Sequence, residues 1–205
     1  MGGRGSRSSD GSGIGAGDII STTDLVSMRE SGYQQEVDDV LSVSSDVSDK
    51  YGTVINDLEV ANLKKRGTMA FYSEDGVIAV NEKYFNTKKM NEAYDDCVKS
   101  GFHPSRGKKS GMQATAAHEY GHQITDVAAK KHGMSLDTMA NRIANEARAE
   151  MKHKGTVIMA SKISRYATAS NAEAIAEAFT DVYCNGSRAN RESKVLVKIL
   201  DKYAL

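Results

Sequence analysis

Polar stretches and short apolar runs alternate along the chain, and their periods separate helices from strands. From about Ser31 to Lys50 most positions are polar. Val37, Val40, Leu41 and Val47 recur there at helical spacing, which predicts one amphipathic helix. Tyr51 to Ile55 reads as a short strand. Two β-prone runs follow, Thr68-Met69-Ala70-Phe71-Tyr72 and Val77-Ile78-Ala79-Val80, with Ser73-Glu74-Asp75-Gly76 between them. Asp-Gly between such runs is a strong hairpin signal, because the tight turn needs the positive φ that glycine adopts freely. A small, mainly antiparallel sheet is expected here. The rest of the pattern is helical. Asn86 to Ser100 ends near Gly101, Met112 to Lys131 is closed by Gly133, and Ser135 caps a helix running to about His153. Asn171 to Tyr183 stops at Asn185-Gly186, and Arg191 to Tyr203 is amphipathic. Phe102 to Gly111 holds the only proline, Pro104, and reads as a loop. A helix, a small sheet and then more helices make an α+β domain.

Composition adds mainly exclusions. The 205 residues carry 27 basic and 27 acidic side chains, a formal net charge of +0. That length suits one domain with a substantial core. The balance gives no sign of nucleic acid or an anionic membrane as partner, and no apolar run is long enough to span a bilayer. The short basic cluster Arg106, Lys108 and Lys109 reads as a solvated loop. Residues 1–23 are rich in Gly and Ser and read as a flexible tail, leaving 24–205 as the domain. The tail has no apolar signal region, so the cytoplasm is the expected location, with phage association or export without a cleaved signal as alternatives. Met1-Gly2 with Ser6 fits the loose myristoylation pattern. Cys97 and Cys184 are read as ordinary buried or half-buried thiols rather than a disulfide.

The chemistry lies in His118-Glu119-Tyr120-Gly121-His122. Two histidines four residues apart on a helix share one face, so their rings can reach one ion. Glu119 lies beside that face, where its carboxylate can reach a metal-bound water without being a ligand. Gly121 inside the helix costs about 1 kcal/mol relative to Ala, and close approach to a neighbouring strand or to substrate would account for it. A third ligand must come from elsewhere. Ser170-Asn171-Ala172-Glu173-Ala174-Ile175-Ala176-Glu177-Ala178-Phe179 places Glu173 and Glu177 on one face of an otherwise apolar helix. Alone, that pair reads as a solvated acidic stripe continued by Asp181. Beside H-E-x-x-H it reads as the source of a ligand, because a buried carboxylate needs a cation or hydrogen bonds. His103 sits in the loop before the active helix and could line the cleft. Together with His132 and His153 it is read as structural or solvated.

These segments, with Ser164-Arg165-Tyr166 before the second helix, resemble the catalytic domain of anthrax lethal factor and related zincin-like (gluzincin) metallopeptidases of toxins and prophages. In that family the helix reads H-E-F-G-H and the later segment S-Y-G, a short gap, then A-E-x-x-A-E-A-F. The interval from Tyr166 to Glu173 matches. The resemblance covers the two active helices and the segment before the second. It implies a zincin-like fold and a zinc-dependent endopeptidase with one Zn2+ per chain, held by His118, His122 and Glu173. It implies Glu119 as general base, Tyr166 as hydroxyl donor to the oxyanion and Glu177 as the residue orienting a ligand histidine. Gln123 departs from the apolar residue many zincins place there, and Ala167 stands where the family has Gly. The expected partner is a peptide or protein substrate, added along an edge strand for which Val77 to Asn81 is the candidate. No segment reads as a cell-binding or translocation domain. The competing reading is a non-catalytic, zinc-stabilised phage-particle or interaction protein.

Overall fold

The computed structural model describes residues 19–52, 57–64, 67–73 and 76–205. Four strands and eight helices are placed there: β1 (Ile19–Asp24), α1 (Leu25–Glu30), α2 (Gln34–Tyr51), β2 (Asp57–Leu63), β3 (Ala70–Tyr72), β4 (Val77–Asn81), α3 (Thr87–Lys99), α4 (Gly111–Lys131), α5 (Leu136–Glu150), α6 (Thr156–Ala160), α7 (Asn171–Asn185) and α8 (Arg191–Ala204). The sheet order is β1-β2-β4-β3. β1 with β2 and β3 with β4 run antiparallel, and β2 with β4 runs parallel. The fold is thus α+β with a small mixed sheet. Among the described residues no helix is long and apolar enough to cross a membrane.

Helix α4 is the axis of the molecule. Ser110 starts it with a reciprocal cap: its hydroxyl accepts from Gln113 N–H, and its own N–H donates to the Gln113 side chain, both at 3.0 Å. From Gly111 to Ala129 nearly every side chain is buried. Helices α2, α3, α5, α7 and α8 and strands β3 and β4 all pack against it. A helix covered on all sides shows little amphipathic contrast in sequence, so its Ala-rich, mildly polar composition hides its central position. The main core joins Tyr72 and Ile78 of the sheet to Ala117, Tyr120 and Ile124 of α4, Ile143 of α5, Ile175 of α7 and Leu196 of α8. A second core gathers Val37, Val60, Val80, Met90, Tyr94 and Met112 around the start of α4. Val80 and Ile78 face these helices while Ala79 joins Phe71 and Ala61 on the other side of the sheet, the alternation expected of a strand.

Several expectations shift. β1 begins at Ile19, so an ordered strand lies where the tail was drawn to residue 23, and α1 follows at once. The earlier part of the tail, with its lipidation pattern, lies outside the described residues. Tyr51 is the last residue of α2 rather than the start of a strand, and Gly52 ends that helix in the left-handed region at φ 62°. Residues 53–56, which complete the expected strand, lie outside the described residues. Leu41 is 37% exposed, and Val43 completes the α2 stripe instead. The hairpin of β3 and β4 is present, with Ser73 N–H donating to Val77 C=O at 2.9 Å, although Glu74 and Asp75 of its turn lie outside the described residues. Val77–Asn81 is not an edge: β4 pairs on both sides, and the strand at that end of the sheet is β3. Short α6 was not anticipated. Cys97, half-buried, and Cys184, buried, are both free thiols.

Gly121 marks the tightest helix contact. A Cβ built there would lie 2.7 Å from Ala176 Cα and 3.2 Å from Phe179 Cβ. The glycine is therefore explained by the approach of α7, not of a strand or substrate. Gly121→Ala sets a helix-propensity gain of about 1 kcal/mol against an overpacking cost of about 1–3 kcal/mol, and the cost should win because the atom met is backbone. The urea midpoint is expected to fall. A raised midpoint would mean that α4 and α7 are not so close.

Candidate metal centre

The α4–α7 contact sets two histidines opposite two glutamates. His118 and His122 lie one turn apart, with ring centroids 5.0 Å apart. Glu173 is in the first turn of α7, where Ser170 caps the helix by accepting the Glu173 N–H at 3.1 Å. That position suits a carboxylate, since the unpaired N–H groups of a helix N-terminus favour negative charge. Glu173 Oε2 lies 3.1 Å from His118 Nε2 and 3.3 Å from His122 Nε2. The ligand atoms of the three residues all fall within 4.8 Å of one another, and all three residues are buried. Ligand atoms about 2.1 Å from a tetrahedral zinc stand about 3.4 Å apart, so these separations suit a single ion.

Glu177, one turn further on, is fully buried and gathers three partners. His118 Nδ1 and His103 Nδ1 each lie 2.9 Å from its Oε1, and Ser164 Oγ donates to its Oε2 at 2.7 Å. The His118 contact is close but not aligned as a good hydrogen bond. His118 thus has a carboxylate at each ring nitrogen. A neutral imidazole carries one N–H, so one lone pair would face a carboxylate oxygen. Added positive charge, from a proton or a metal ion, removes that conflict. The electrostatics agree. Burial disfavours the charged His118 ring, but hydrogen bonds and charge from Glu173 and Glu177 outweigh it and lift its pKa well above the ordinary value. Both glutamates are correspondingly held low: burial opposes their ionisation, and the histidines, His122 foremost for Glu173 and His103 for Glu177, more than offset it. His122 Nε2 is buried without an aligned hydrogen-bond partner. Orphaned imidazole nitrogen beside buried carboxylate fits the donor set of a metal ion.

Glu119 stands beside this group and not in it. It is 1% exposed, and its Oε2 has no hydrogen-bond partner. Burial raises its pKa, opposed by the nearby histidines. It borders a cavity of about 10 Å³ with Met69, Tyr94, His103, Thr115, His118 and Glu177, room for about one water. Met69 and His103 also border a wider cleft of about 380 Å³, with Phe102 and Arg165 among its other walls. Tyr166 stacks on His118, centroids 5.8 Å apart, and on Phe102 at 4.9 Å. Comparison of the chain with family models, with curated proteins and with solved structures finds no match. The reading of the site therefore rests on its geometry.

All six residues singled out from the motifs, His118, Glu119, His122, Tyr166, Glu173 and Glu177, meet in this region. Four other polar residues that the sequence brought up separate from it. Asp181 is no solvated acid: it is buried, accepting from Asn190 N–H at 2.8 Å and Ser193 Oγ at 2.7 Å, and so fastens the start of α8. His132 lies at the end of α4, 3.2 Å from Tyr203 C=O, and His153 lies 3.2 Å from Glu192. Arg106 grips Asp95 through two nitrogens, at 2.7 and 2.9 Å. His103 proved to belong to the site. Its spacing from the other histidines carries no motif, and only the long-range pairing with Glu177 reveals it. Gln123 is buried, with its Oε1 lacking a partner.

Metal binding should be directly measurable. Zn2+ at about 100 times its dissociation constant stabilises the fold by about 2.7 kcal/mol. Thermal unfolding with and without added Zn2+ should show that increment, and Glu173→Ala should remove most of it. Protons compete for the imidazole lone pairs, and His118 holds its proton to a pH above the ordinary histidine range, so the increment should already shrink as pH falls through that raised value. No upward shift in melting temperature with Zn2+ at neutral pH would count against the site.

Proposed function

We propose that the chain is a zinc-dependent endopeptidase that hydrolyses peptide bonds with water activated by Glu119. The carrying observation is the convergence of His118, His122 and Glu173 on one point, with the unpartnered Glu119 carboxylate beside them. Zn2+ held by those three would act as a Lewis acid and bring a bound water to a pKa of about 7. Three protein donors leave a position for that water, whereas structural zinc sites usually have four.

The remaining roles belong to the protein. Glu119 takes the proton of the attacking water and passes it to the leaving amine. Burial raises its pKa toward the range in which one carboxylate can both accept and donate. Tyr166, stacked on His118 and Phe102, supplies its hydroxyl to the oxyanion of the tetrahedral species. Glu177 holds His118 from behind. A peptide would lie along β3, the terminal strand of the sheet, because Met69 immediately before that strand borders both the small cavity and the wide cleft.

The deep burial of the three donors fits a second reading, a zinc-stabilised protein with no catalytic role. One variant separates the two. Glu119→Gln should bind Zn2+ as the parent does and lose about 100-fold or more of its activity on an unfolded protein substrate. Equal cleavage by parent and variant would remove Glu119 from the mechanism. A zinc-loaded parent that cuts no member of a diverse peptide library, and unfolds on chelation, would establish the structural role instead.

A further inference from the structure

We infer that His103 is a positioning residue of the metal centre, acting through Glu177 on His118. The inference rests on the zinc-site reading above and adds a member no motif supplies. Glu177 is fully buried, and its Oε1 is shared by two imidazole Nδ1 atoms, each at 2.9 Å. A carboxylate in that position can rotate toward either ring. His103 and Ser164, reaching it from two different loops, fix its plane: His103 Nδ1–H donates to Oε1 and Ser164 Oγ to Oε2 at 2.7 Å. With a cation in the site, a carboxylate so fixed, 2.9 Å from His118 Nδ1, would hold the ring proton on that side and turn Nε2, now 3.1 Å from Glu173 Oε2, to the ion.

His103 is itself held on several sides. Its ring lies parallel to Tyr94, with centroids 5.3 Å apart and planes 11° apart, and Phe102 and Tyr166 meet it edge-on at 4.9 and 5.6 Å. The same loop also anchors the segment carrying Tyr166. Arg165 N–H donates to Gly101 C=O at 2.8 Å, and Tyr166 N–H to Phe102 C=O at 3.1 Å. A solvated or merely packing histidine would not need a buried carboxylate already engaged by a second histidine.

The test uses the full chain with Zn2+ or Co2+ as the probe. His103→Phe keeps an aromatic ring against Tyr94 and removes the donor. His103→Asn places an amide N–H near the former Nδ1. Metal affinity by chelator competition should fall about 10-fold in His103→Phe and largely return in His103→Asn, the lower end of the loss seen for partners of ligand histidines. The Co2+ absorption bands should shift in His103→Phe and return toward the parent pattern in His103→Asn. Ser164→Ala should weaken metal in the same direction. Unchanged affinity and spectrum in His103→Phe would overturn the inference while leaving the metal site standing. Equal loss in both His103 variants, with a matching fall in the metal-free melting temperature, would overturn it in favour of a packing role. A parent that binds neither metal would overturn the inference and the zinc reading together.

Discussion

The site depends on how closely α7 can lie on α4. The two helix backbones meet where Gly121 offers no side chain and Ala176 offers a methyl. That contact faces one turn of histidines toward one turn of glutamates. Side chains as short as Glu and His can place their polar atoms 3.1 and 3.3 Å apart only if the axes are near enough. Small residues flank the charged ones on both helices: Ala116, Ala117 and Gly121 on α4, and Ala174, Ala176 and Ala178 on α7. Their smallness is a geometric requirement of the charged residues between them.

Burying two glutamates costs several kcal/mol each unless their charge is answered. Here the answer is local and nearly complete. Glu177 has hydrogen bonds to His103 and Ser164 and the His118 ring close by, and Glu173 has two imidazoles and the start of a helix. Glu119 is the exception, with an oxygen left without a partner. Of the three acids of this group, only Glu119 keeps a buried oxygen without a hydrogen-bond partner, which is what sets it apart from the other two.

How much of this was legible in the sequence follows from how local each signal is. The cap at Ser135 and the stops at Gly133 and Asn185-Gly186 are short-range signals, so α4, α5 and α7 could be delimited to within a few residues. The β3–β4 hairpin likewise depends on neighbours in the chain. The spacing of His118 and His122 encodes a shared face directly. By contrast, β1 pairs with β2 across some forty residues, and its polar, outward-facing sequence looked like tail. The same distance problem hid the order β1-β2-β4-β3, which turned an expected edge strand into an interior one. Gly121 announced a close approach without naming the partner. His103 announced only its place before the active helix, because a lone histidine in a loop has no period, and its role beside the site comes from a carboxylate 74 positions away.

The two rungs that join Arg165 and Tyr166 to Gly101 and Phe102 tie two adjoining banks of the wide cleft to each other. Neither bank can swing outward without breaking main-chain hydrogen bonds to the other, and both are seated on helices that wrap α4. That side of the rim is therefore held as a unit. Any change in the width of the cleft falls to its other walls, Gly67 and Met69 among them.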